Sequence, residues 1–258
     1  MKSEHFPLAA YLERIGLQHA PKADLDGLAQ LMRAQLFAVP FENLDVQAGL
    51  EISLEPQAIL QKILGRARGG YCYEVNGLFA MALGALGFRC RILGARPMFY
   101  PTRRAKTHMV VAVQLGATSY LCDTGFGSYG LRAPLAIEVT DEGVWQDWDR
   151  FRLQPLDAGE LALQAWVDGD WRSQFSFDDY PMEMLDFGPA NYFNSHSPEA
   201  IFVQKIVIVQ HTPAARRMLV GCEYREISAA GCKVVEYQPS ELAAAVASHF
   251  GLSVQALT

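Results

Sequence analysis

The stretch that most constrains this chain is a basic residue and two glycines leading directly into a cysteine, Arg68-Gly69-Gly70-Tyr71-Cys72. After the cysteine, apolar residues recur at steps of three and four: Val75, Leu78, Phe79, Ala82, Leu83 and Leu86. This spacing predicts a helix that runs to about Leu86 and stops at Gly87. Cys72 is therefore expected in the first turn of that helix.

A cysteine at this position has two interpretations. The first turn of a helix carries unpaired N–H groups and the positive end of the helix dipole, and both favour the thiolate, which is the nucleophilic form. The two glycines are expected to leave backbone room beside the sulfur for a ligand. The alternative is a small buried apolar residue, since most intracellular cysteines have that role. Position alone does not decide between them.

A predicted β-hairpin supplies two further polar groups. Thr107–Val113 is rich in β-branched residues and reads as a strand, and Ser119–Asp123 reads as a second strand. A tight turn with Leu115-Gly116 as its loop places His108 opposite Asp123 on one face, where cross-strand neighbours can form a hydrogen bond. A one-residue slip would separate them. Cys72, His108 and Asp123 together form a candidate thiol–imidazole–carboxylate triad. Taken singly, His108 is more often a strand histidine, and Asp123 a turn residue.

These blocks resemble the arylamine N-acetyltransferases. The resemblance runs from near residue 8 to about residue 204, and it is weak in the last fifty or so residues. It rests on the following stretches: Tyr11–Gly16, Val39–Asp45, Arg68–Cys72, the His108 strand and Asp123-Thr124-Gly125-Phe126-Gly127. Thr124 departs from the apolar residue found there in many members, and coenzyme-contacting residues are not carried over.

The resemblance implies acetyl-CoA as cosubstrate and an arylamine or hydrazine as acceptor. Cys72 is then the nucleophile, His108 the base and Asp123 the group that orients His108. Phe41 looks like the pocket phenylalanine of the family, with an ordinary core residue as the alternative. The loop carrying Phe126 and Gly127 is expected to line the acceptor pocket, with Phe126 facing the substrate.

Two charged residues near the cysteine are expected to pair. Glu42 lies between large apolar residues, so its carboxylate is expected to be partly buried and to need a partner. Arg68 is the basic residue beside Cys72, and the resemblance joins the two blocks in space. The pair is expected to be structural and to hold the Gly69-Gly70 turn. The basic loop Tyr100–Lys106 has two readings, a phosphate-binding segment or a solvated loop.

Composition excludes several classes of protein. The 258 residues carry a net charge of −6, which argues against a nucleic-acid surface. No apolar run approaches the ~20 residues of a membrane span, and the N-terminus lacks an apolar signal core. The five cysteines show no metal-ligand spacing. We therefore expect a cytoplasmic enzyme without metal, nucleic acid or membrane partners; a homo-oligomer is an open alternative.

The periodicity predicts an α+β fold in three parts. Residues 1–87 read as a helical bundle without strands that carries Cys72, with a third helix over Glu55–Leu64. Residues 88–190 read as an antiparallel, barrel-like β domain that carries His108 and Asp123 and ends in a connecting helix from Asp178. Residues 191–258 read as a small α/β lid. Within the lid we expect a polar loop over Asn191–Pro198, a strand over Ile201–Gln210 and a last helix over Glu241–Phe250.

Three other functions fit parts of the pattern. A cysteine protease or transglutaminase shares the thiol–imidazole–carboxylate geometry, which does not reveal the acyl donor. An amide synthase of the same superfamily would take a carrier-protein thioester. A non-catalytic ligand-binding protein would not require all three triad members. The acyl donor that modifies Cys72 discriminates between the first two and the acetyltransferase.

Overall fold

Helices form the first third of the chain. The structure is a computed structural model that describes residues 6–253. The helices before residue 87 are α1 (Leu8–Arg14), α2 (Leu25–Ala38), α3 (Leu44–Gln47), α4 (Pro56–Leu60) and α5 (Cys72–Ala85). Asp24 caps α2, because its side chain accepts a hydrogen bond from the Gly27 N–H at 2.8 Å. The single helix expected over 55–64 is instead α4 followed by a π-helical turn, Gln61–Gly65.

The expectation that residues 1–87 lack strands is wrong at one place. Phe41 and Glu42 form a short strand, β1, which pairs antiparallel with residues 208 and 209 near the other end of the chain. Phe41 also forms a parallel bridge with Gly70. A strand of two residues is too short to show an alternating pattern, so the sequence gives no sign of it. It attaches the helical region to the C-terminal sheet.

The middle of the chain is one antiparallel sheet of eight strands, as the alternating patterns predict. In spatial order the strands run β5-β4-β3-β2-β9-β8-β7-β6. Their bounds are β2 (Arg89–Pro97), β3 (His108–Leu115), β4 (Thr118–Cys122), β5 (Leu135–Ala136), β6 (Val144–Gln146), β7 (Asp149–Pro155), β8 (Leu161–Val167) and β9 (Asp170–Met182).

Gln146 connects the two edges of this sheet. From edge strand β6 its amide oxygen accepts from the backbone N–H groups of Arg132 and Ala133, at 2.7 and 3.0 Å. Its amide nitrogen donates to the Ala133 carbonyl at 2.9 Å. Residues 132 and 133 lie just before the opposite edge strand, β5. The sheet is thus nearly closed and barrel-like, and one buried side chain replaces the missing backbone ladder between its edges.

The β3–β4 hairpin forms with a different register from the one predicted. Leu115 pairs with Thr118 and Val111 with Cys122, so the loop is Gly116-Ala117 and Gly116 takes a left-handed backbone with φ of 58°. Asp123 follows the last paired residue. The pairing is offset by two residues from the prediction, and an even offset keeps each side chain on its predicted face. His108 and Asp123 therefore still meet, as diagonal neighbours.

The C-terminal part is a second sheet covered by helices. The elements are α6 (Gly188–His196), α7 (Ile201–Gln204), β10 (Val207–His211), β11 (Ala215–Val220), β12 (Glu223–Ser228), β13 (Gly231–Glu236) and α8 (Leu242–Phe250). The strand order is β1-β10-β11-β12-β13. Apolar residues of these strands and of α8, among them Ile208, Leu219, Val246 and Phe250, form a core of their own.

Three local predictions are wrong in this region. The helix expected from Asp178 is a continuation of β9 to Met182. The polar loop expected over 191–198 is mostly helix α6, and the strand expected over 201–210 begins only at Val207, after α7. Asparagine, serine and glycine are typical of loops, so the helical spacing of Asn191 and Asn194 is easily missed. The three-part division at residues 87 and 190 stays a prediction.

Helix α5 lies at the centre of the main core. All residues from Cys72 to Leu83 are buried, including Glu74 and Asn76. The cluster that contains them takes in α1, α2, the barrel-like sheet, and Val207 and Val209 of β10. Helix α5 is enclosed on all sides by the other elements, as its mainly apolar surface requires. Its N-terminus is directed toward the strand ends that carry His108 and Asp123.

Candidate active site

Cys72 is the first residue of α5, as the apolar spacing predicts. Tyr71 is the N-cap residue, and its backbone N–H donates to Glu74 Oε2 at 3.1 Å. Glu74 is the third residue of the helix, so its carboxylate satisfies one backbone donor and also places negative charge at the positive end of the dipole. Cys72 is only 3% exposed, and it lines a cavity.

The two glycines before Tyr71 serve close packing of backbone and carboxylates. A Cβ on Gly69 would lie 2.0 Å from the Pro40 carbonyl oxygen, and one on Gly70 would lie 2.6 Å from Glu74 Oε2. The expectation that they leave room for a ligand is therefore wrong. They let the chain pass between the residue 40–42 segment and the first turn of α5, and this passage fixes where Cys72 emerges.

His108 and Asp123 form a buried hydrogen-bonded pair. The distance from His108 Nε2 to Asp123 Oδ2 is 2.8 Å, and the two residues are 4% and 1% exposed. The other nitrogen of the ring is free of Asp123. Cys72 lies close enough to the ring to raise the pKa of His108, and both residues line the same cavity. The structure thus brings the three predicted residues together in the order thiol, imidazole, carboxylate.

The environment of His108 favours its charged form. Burial on its own lowers the pKa of His108, but the charge of Asp123, its hydrogen bond and the contact with Cys72 outweigh burial and raise the pKa to about 10. At neutral pH the ring therefore holds both protons, and Nε2–H donates to Asp123. An imidazolium beside Cys72 stabilises a thiolate by direct charge attraction.

Asn76 holds Asp123 in place, and the sequence reasoning missed it. Its Nδ2 donates to Asp123 Oδ1 at 2.9 Å and to the Met109 carbonyl at 2.7 Å. Its Oδ1 accepts from the Thr124 N–H at 2.8 Å. The signal available was its spacing, because Asn76 lies four residues after Cys72 and so on the same face of α5. The carboxylate also accepts from the Gly125 N–H at 2.9 Å.

Thr124 belongs to a buried polar chain behind the triad. The Thr124 hydroxyl accepts from Gln35 Nε2 at 2.8 Å, and Gln35 Oε1 accepts from the Tyr11 hydroxyl at 2.8 Å. The same Gln35 nitrogen donates to the Val75 carbonyl at 2.9 Å. A hydroxyl at position 124 is thus matched by polar groups from α1, α2 and α5, which accounts for its place among apolar neighbours.

Arg68 and Glu42 lie side by side behind the cysteine, within a larger set of charges. Arg68 Nε donates to Glu42 Oε1 at 2.9 Å, and Arg68 Nη2 donates to Asp45 Oδ1 at 2.9 Å. Lys62, which the sequence reasoning did not single out, contacts Asp45 at 2.9 Å and Glu74 at 2.7 Å. Three acids and two bases are therefore linked beneath the first turn of α5.

Burial and pairing act in opposite directions within this set. Burial raises the pKa of Glu74 to about 7, although Lys62 opposes the shift. Burial also raises the pKa of Asp45, but Lys62 and Arg68 outweigh it and hold that pKa below its usual range. One acid, Glu74, thus titrates near neutrality. Removing a base from such a set leaves an uncompensated buried charge.

The cavity in front of Cys72 has a volume of about 230 Å³ and mainly apolar walls. Phe41, Phe126 and Gly127, the predicted pocket residues, all line it together with His108. The Phe126 ring lies 5.0 Å from the His108 ring. A Cβ on Gly127 would come within 3.0 Å of the Phe41 ring, so glycine there allows the loop to pack against Phe41. Flat aromatic ligands suit walls of this kind.

The basic loop over residues 100–106 is balanced by acids. Lys106 contacts Asp178 at 2.5 Å, Arg103 lies 3.6 Å from Glu160, and Arg104 lies 3.9 Å from Glu199. Phe99, Tyr100 and Arg104 line the cavity. Residues 101–103 and 105 are exposed, and the pairs made by Arg103 and Arg104 are long and open to solvent. These contacts favour the solvated loop, and a phosphate-binding role stays a prediction.

The described residues, 6–253, contain no cluster of side chains with the composition of a metal site. Within the same range, no helix is both long enough and apolar enough to cross a bilayer. The five cysteines are all unpaired. Cys72 and His108 present a thiol and an imidazole to the cavity, and the Asp123 carboxylate is hydrogen-bonded to the imidazole.

Comparison with known proteins identifies the family of the chain. The sequence profile of a family described as N-acetyltransferase matches residues 24–258. Human arylamine N-acetyltransferase 1 is 31% identical over 234 residues, covering 83% of this chain and 81% of the relative. The arylamine N-acetyltransferase of Mycolicibacterium smegmatis is 34% identical over 221 residues, covering 83% and 80%.

Solved structures give the same result. A Mycobacterium smegmatis arylamine N-acetyltransferase superposes with a TM-score of 0.91 at 29% identity, covering 96% of this chain and 93% of the other. A Mycobacterium marinum arylamine N-acetyltransferase in complex with CoA gives a TM-score of 0.89 at 31% identity, covering 97% and 94%. The fold and site thus define an acyltransferase. The chain belongs to the arylamine N-acetyltransferase family.

Proposed function

We propose that this enzyme moves an acetyl group from acetyl-CoA to the nitrogen of an arylamine or arylhydrazine through an acetyl-Cys72 intermediate. The observation that carries the proposal is the meeting of three groups: Cys72 and His108 line one apolar cavity, and Asp123 is hydrogen-bonded to His108. The CoA complex of the Mycobacterium marinum relative supports the choice of donor.

In the first step the Cys72 thiolate attacks the carbonyl carbon of the thioester. A new carbon–sulfur bond forms at Cys72, and the bond to the CoA sulfur breaks. The His108 imidazolium can give its proton to the leaving CoA thiolate. Asp123 keeps the ring in one orientation and stabilises its charged form, and it keeps its own charge throughout. Exchange of one thioester for another is nearly isoenergetic, so the step needs no further energy source.

In the second step the acceptor amine attacks the acetyl carbon on Cys72. Neutral His108, left by the first step, accepts the proton that the amine loses. Cys72 departs as the thiolate, and the amide product forms downhill in free energy. Phe41, Phe126 and Gly127 are proposed to hold the aromatic part of the acceptor, because they line the cavity beside His108. Exclusion of water from this apolar space protects the acetyl-cysteine from hydrolysis.

The remaining predicted residues have structural roles in this proposal. Arg68 and Glu42 hold the Gly69-Gly70 passage from which Cys72 emerges. Each of the three predicted parts contributes something different: residues 1–87 the nucleophile, 88–190 the His108–Asp123 pair, and 191–258 a lid whose residues Phe193 and Phe202 close the cavity.

Initial-rate kinetics test the two-step reaction. Varying acetyl-CoA at several fixed concentrations of an arylamine should give parallel double-reciprocal lines, the pattern of a substituted-enzyme mechanism. Cys72→Ser should lose the activity while remaining folded. Intersecting lines would require a ternary complex and contradict the proposal. Transfer from a carrier-protein thioester in place of acetyl-CoA would identify an amide synthase.

A further inference from the structure

The two neighbours of Cys72 are both tyrosines, and their hydroxyl groups enter a polar junction with helix α6. Tyr71 and Tyr73 are fully buried, and their rings meet edge to face at 5.2 Å. Two asparagines of α6, Asn191 and Asn194, lie three residues apart and so on one face of that helix. This face is packed against the beginning of α5.

Each tyrosine is joined to α6 by a hydrogen bond. The Tyr71 hydroxyl donates to Asn191 Oδ1, and Asn191 Nδ2 donates to the Ile52 carbonyl at 2.8 Å. Asn194 Nδ2 donates to the Tyr73 hydroxyl at 3.2 Å. The residues on both sides of the nucleophile are therefore held by a helix more than a hundred positions away in the chain.

The second pair also reaches the base. The Tyr73 hydroxyl donates to the Thr107 carbonyl at 2.8 Å, and Asn194 Nδ2 donates to the same carbonyl at 2.9 Å. Thr107 precedes His108, the first residue of β3. Its carbonyl and the His108 N–H belong to one planar peptide group, so two donors on that oxygen fix the plane from which the imidazole projects.

We propose that Tyr73 and Asn194 are positioning residues that set the contact between His108 and Cys72. Tyr73 is bonded covalently to Cys72, and through its hydroxyl it holds the peptide before His108; Asn194 ties both to α6. A displacement of about 1 Å between reacting groups can lower a rate by about 100-fold. The inference rests on the proposed roles of Cys72 and His108. Tyr73 and Asn194 act on these two residues through the backbone and not on the reacting atoms themselves.

Tyr73→Phe is the sharpest test, because it removes one hydroxyl and keeps the ring. The second-order rate constant for alkylation of Cys72 by iodoacetamide should fall about tenfold at pH 7, and its pH profile should move to higher pH as the imidazolium loses its fixed place beside the sulfur. Acetylation by acetyl-CoA should fall in parallel. Tyr224→Phe is the matched control, since it removes a buried phenol that donates to Glu226 at 2.9 Å in the C-terminal sheet.

Asn194→Ala is the second variant. If Tyr73→Phe does not fold, Asn194→Ala on its own tests the positioning role. The double variant should lose less than the product of the two single effects, because both donors act on one carbonyl. An unchanged alkylation rate and pH profile per folded molecule, with only a lower Tm, would overturn the proposal and leave a structural role. Because alkylation does not involve acetyl-CoA, failure of the proposed acetyl transfer would be seen separately.

Discussion

A single carboxylate, Asp123, shows how the site is assembled from individual residues. One oxygen accepts from His108, and the other accepts from Asn76 and from the Gly125 N–H. Both oxygens of the buried carboxylate therefore have hydrogen-bond partners, as a negative charge in an apolar interior requires. That charge maintains the imidazolium of His108, and the imidazolium faces the thiol. Reactivity of Cys72 thus depends on a group it does not touch.

Asp123→Asn should change how stability depends on pH. The pKa of His108 lies at about 10 in the folded protein and at about 6.5 in an unfolded chain. The stabilisation from its charge is present in full below pH 6.5 and is lost as pH rises toward 10. Measured in Cys72→Ser protein, where no thiol releases a proton on folding, the free energy of unfolding should therefore fall between pH 6.5 and 8.5, with a slope of up to about 1.4 kcal/mol per pH unit. Asp123→Asn in the same Cys72→Ser background should show little of this slope in urea titrations.

With Cys72 present, Asp123→Asn should lower the rate of Cys72 acetylation by a factor on the order of 10⁴, the size of effect seen when a triad acid becomes an amide. His108→Gln is the control, since it removes the titrating group itself and should flatten the pH dependence as well. If both variants kept the full slope of unfolding free energy against pH, a group other than His108 would be its cause.

Asn76→Ala tests the support of the carboxylate. The change leaves the Thr124 N–H without its acceptor and removes one of the two donors to Asp123 Oδ1, which should cost about 1–3 kcal/mol of unfolding free energy. Acetylation should slow as Asp123 gains freedom. Thermal unfolding and single-turnover rates measure the two effects, and an unchanged acetylation rate would remove Asn76 from the account of positioning.

Among the elements, the start of α5 is determined by contacts that the sequence predicts only in part. Apolar spacing predicted the helix and placed Cys72 in its first turn, because that pattern is local. The sequence did not reveal why two glycines precede it, since their neighbours, Pro40, Glu42 and Glu74, are brought there by the fold.

Gly69→Ala should be severely destabilising, because its Cβ would overlap the Pro40 carbonyl oxygen at 2.0 Å. The backbone on one side must move, and we expect a loss of more than about 3 kcal/mol or no folded protein. Gly84→Ala is the matched change at the other end of α5, where a Cβ meets nothing within 4 Å. It should stabilise by about 0.5–1 kcal/mol. Equal Tm values for the two variants would contradict the close-contact explanation.

The β3–β4 hairpin was predicted from the sequence in part. Alternation identified β3 and β4 and the face shared by His108 and Asp123, although the turn lies one residue later than predicted. Helix α6 and strand β1 were missed because one is polar and the other has two residues. Buried partners such as Lys62 and Asn194 come from tertiary packing, and no local pattern marks them.

At the scale of the whole molecule, the site depends on attachment of the C-terminal sheet to the N-terminal helices. Asn43 makes that attachment: its Nδ2 donates to the carbonyls of Phe202 and Lys205 at 2.7 and 2.9 Å, and its Oδ1 accepts from the Val207 N–H at 2.7 Å. Phe202 and Val207 line the cavity. One side chain near residue 40 therefore fixes a wall built more than 150 positions later.

Asn43→Ala should lower the free energy of unfolding by about 1–3 kcal/mol, since the buried Val207 N–H loses its acceptor and the Lys205 carbonyl its donor, while the Phe202 carbonyl keeps Gln47 Nε2. Gln204→Ala removes one amide hydrogen bond at the surface and should change stability by less than about 0.5 kcal/mol. Urea unfolding followed by fluorescence compares them. Similar small losses in both variants would mean that the β1–β10 pairing holds the two regions together without Asn43.

Intact-protein mass spectrometry tests whether Cys72 accepts the acetyl group. The protein is mixed briefly with acetyl-CoA and no amine, and then digested for peptide mapping. We predict one added acetyl group, located on Cys72, absent in Cys72→Ser and removed when an arylamine or arylhydrazine is added. Folded protein with an unmodified Cys72, or an acetyl group on another residue, would contradict it.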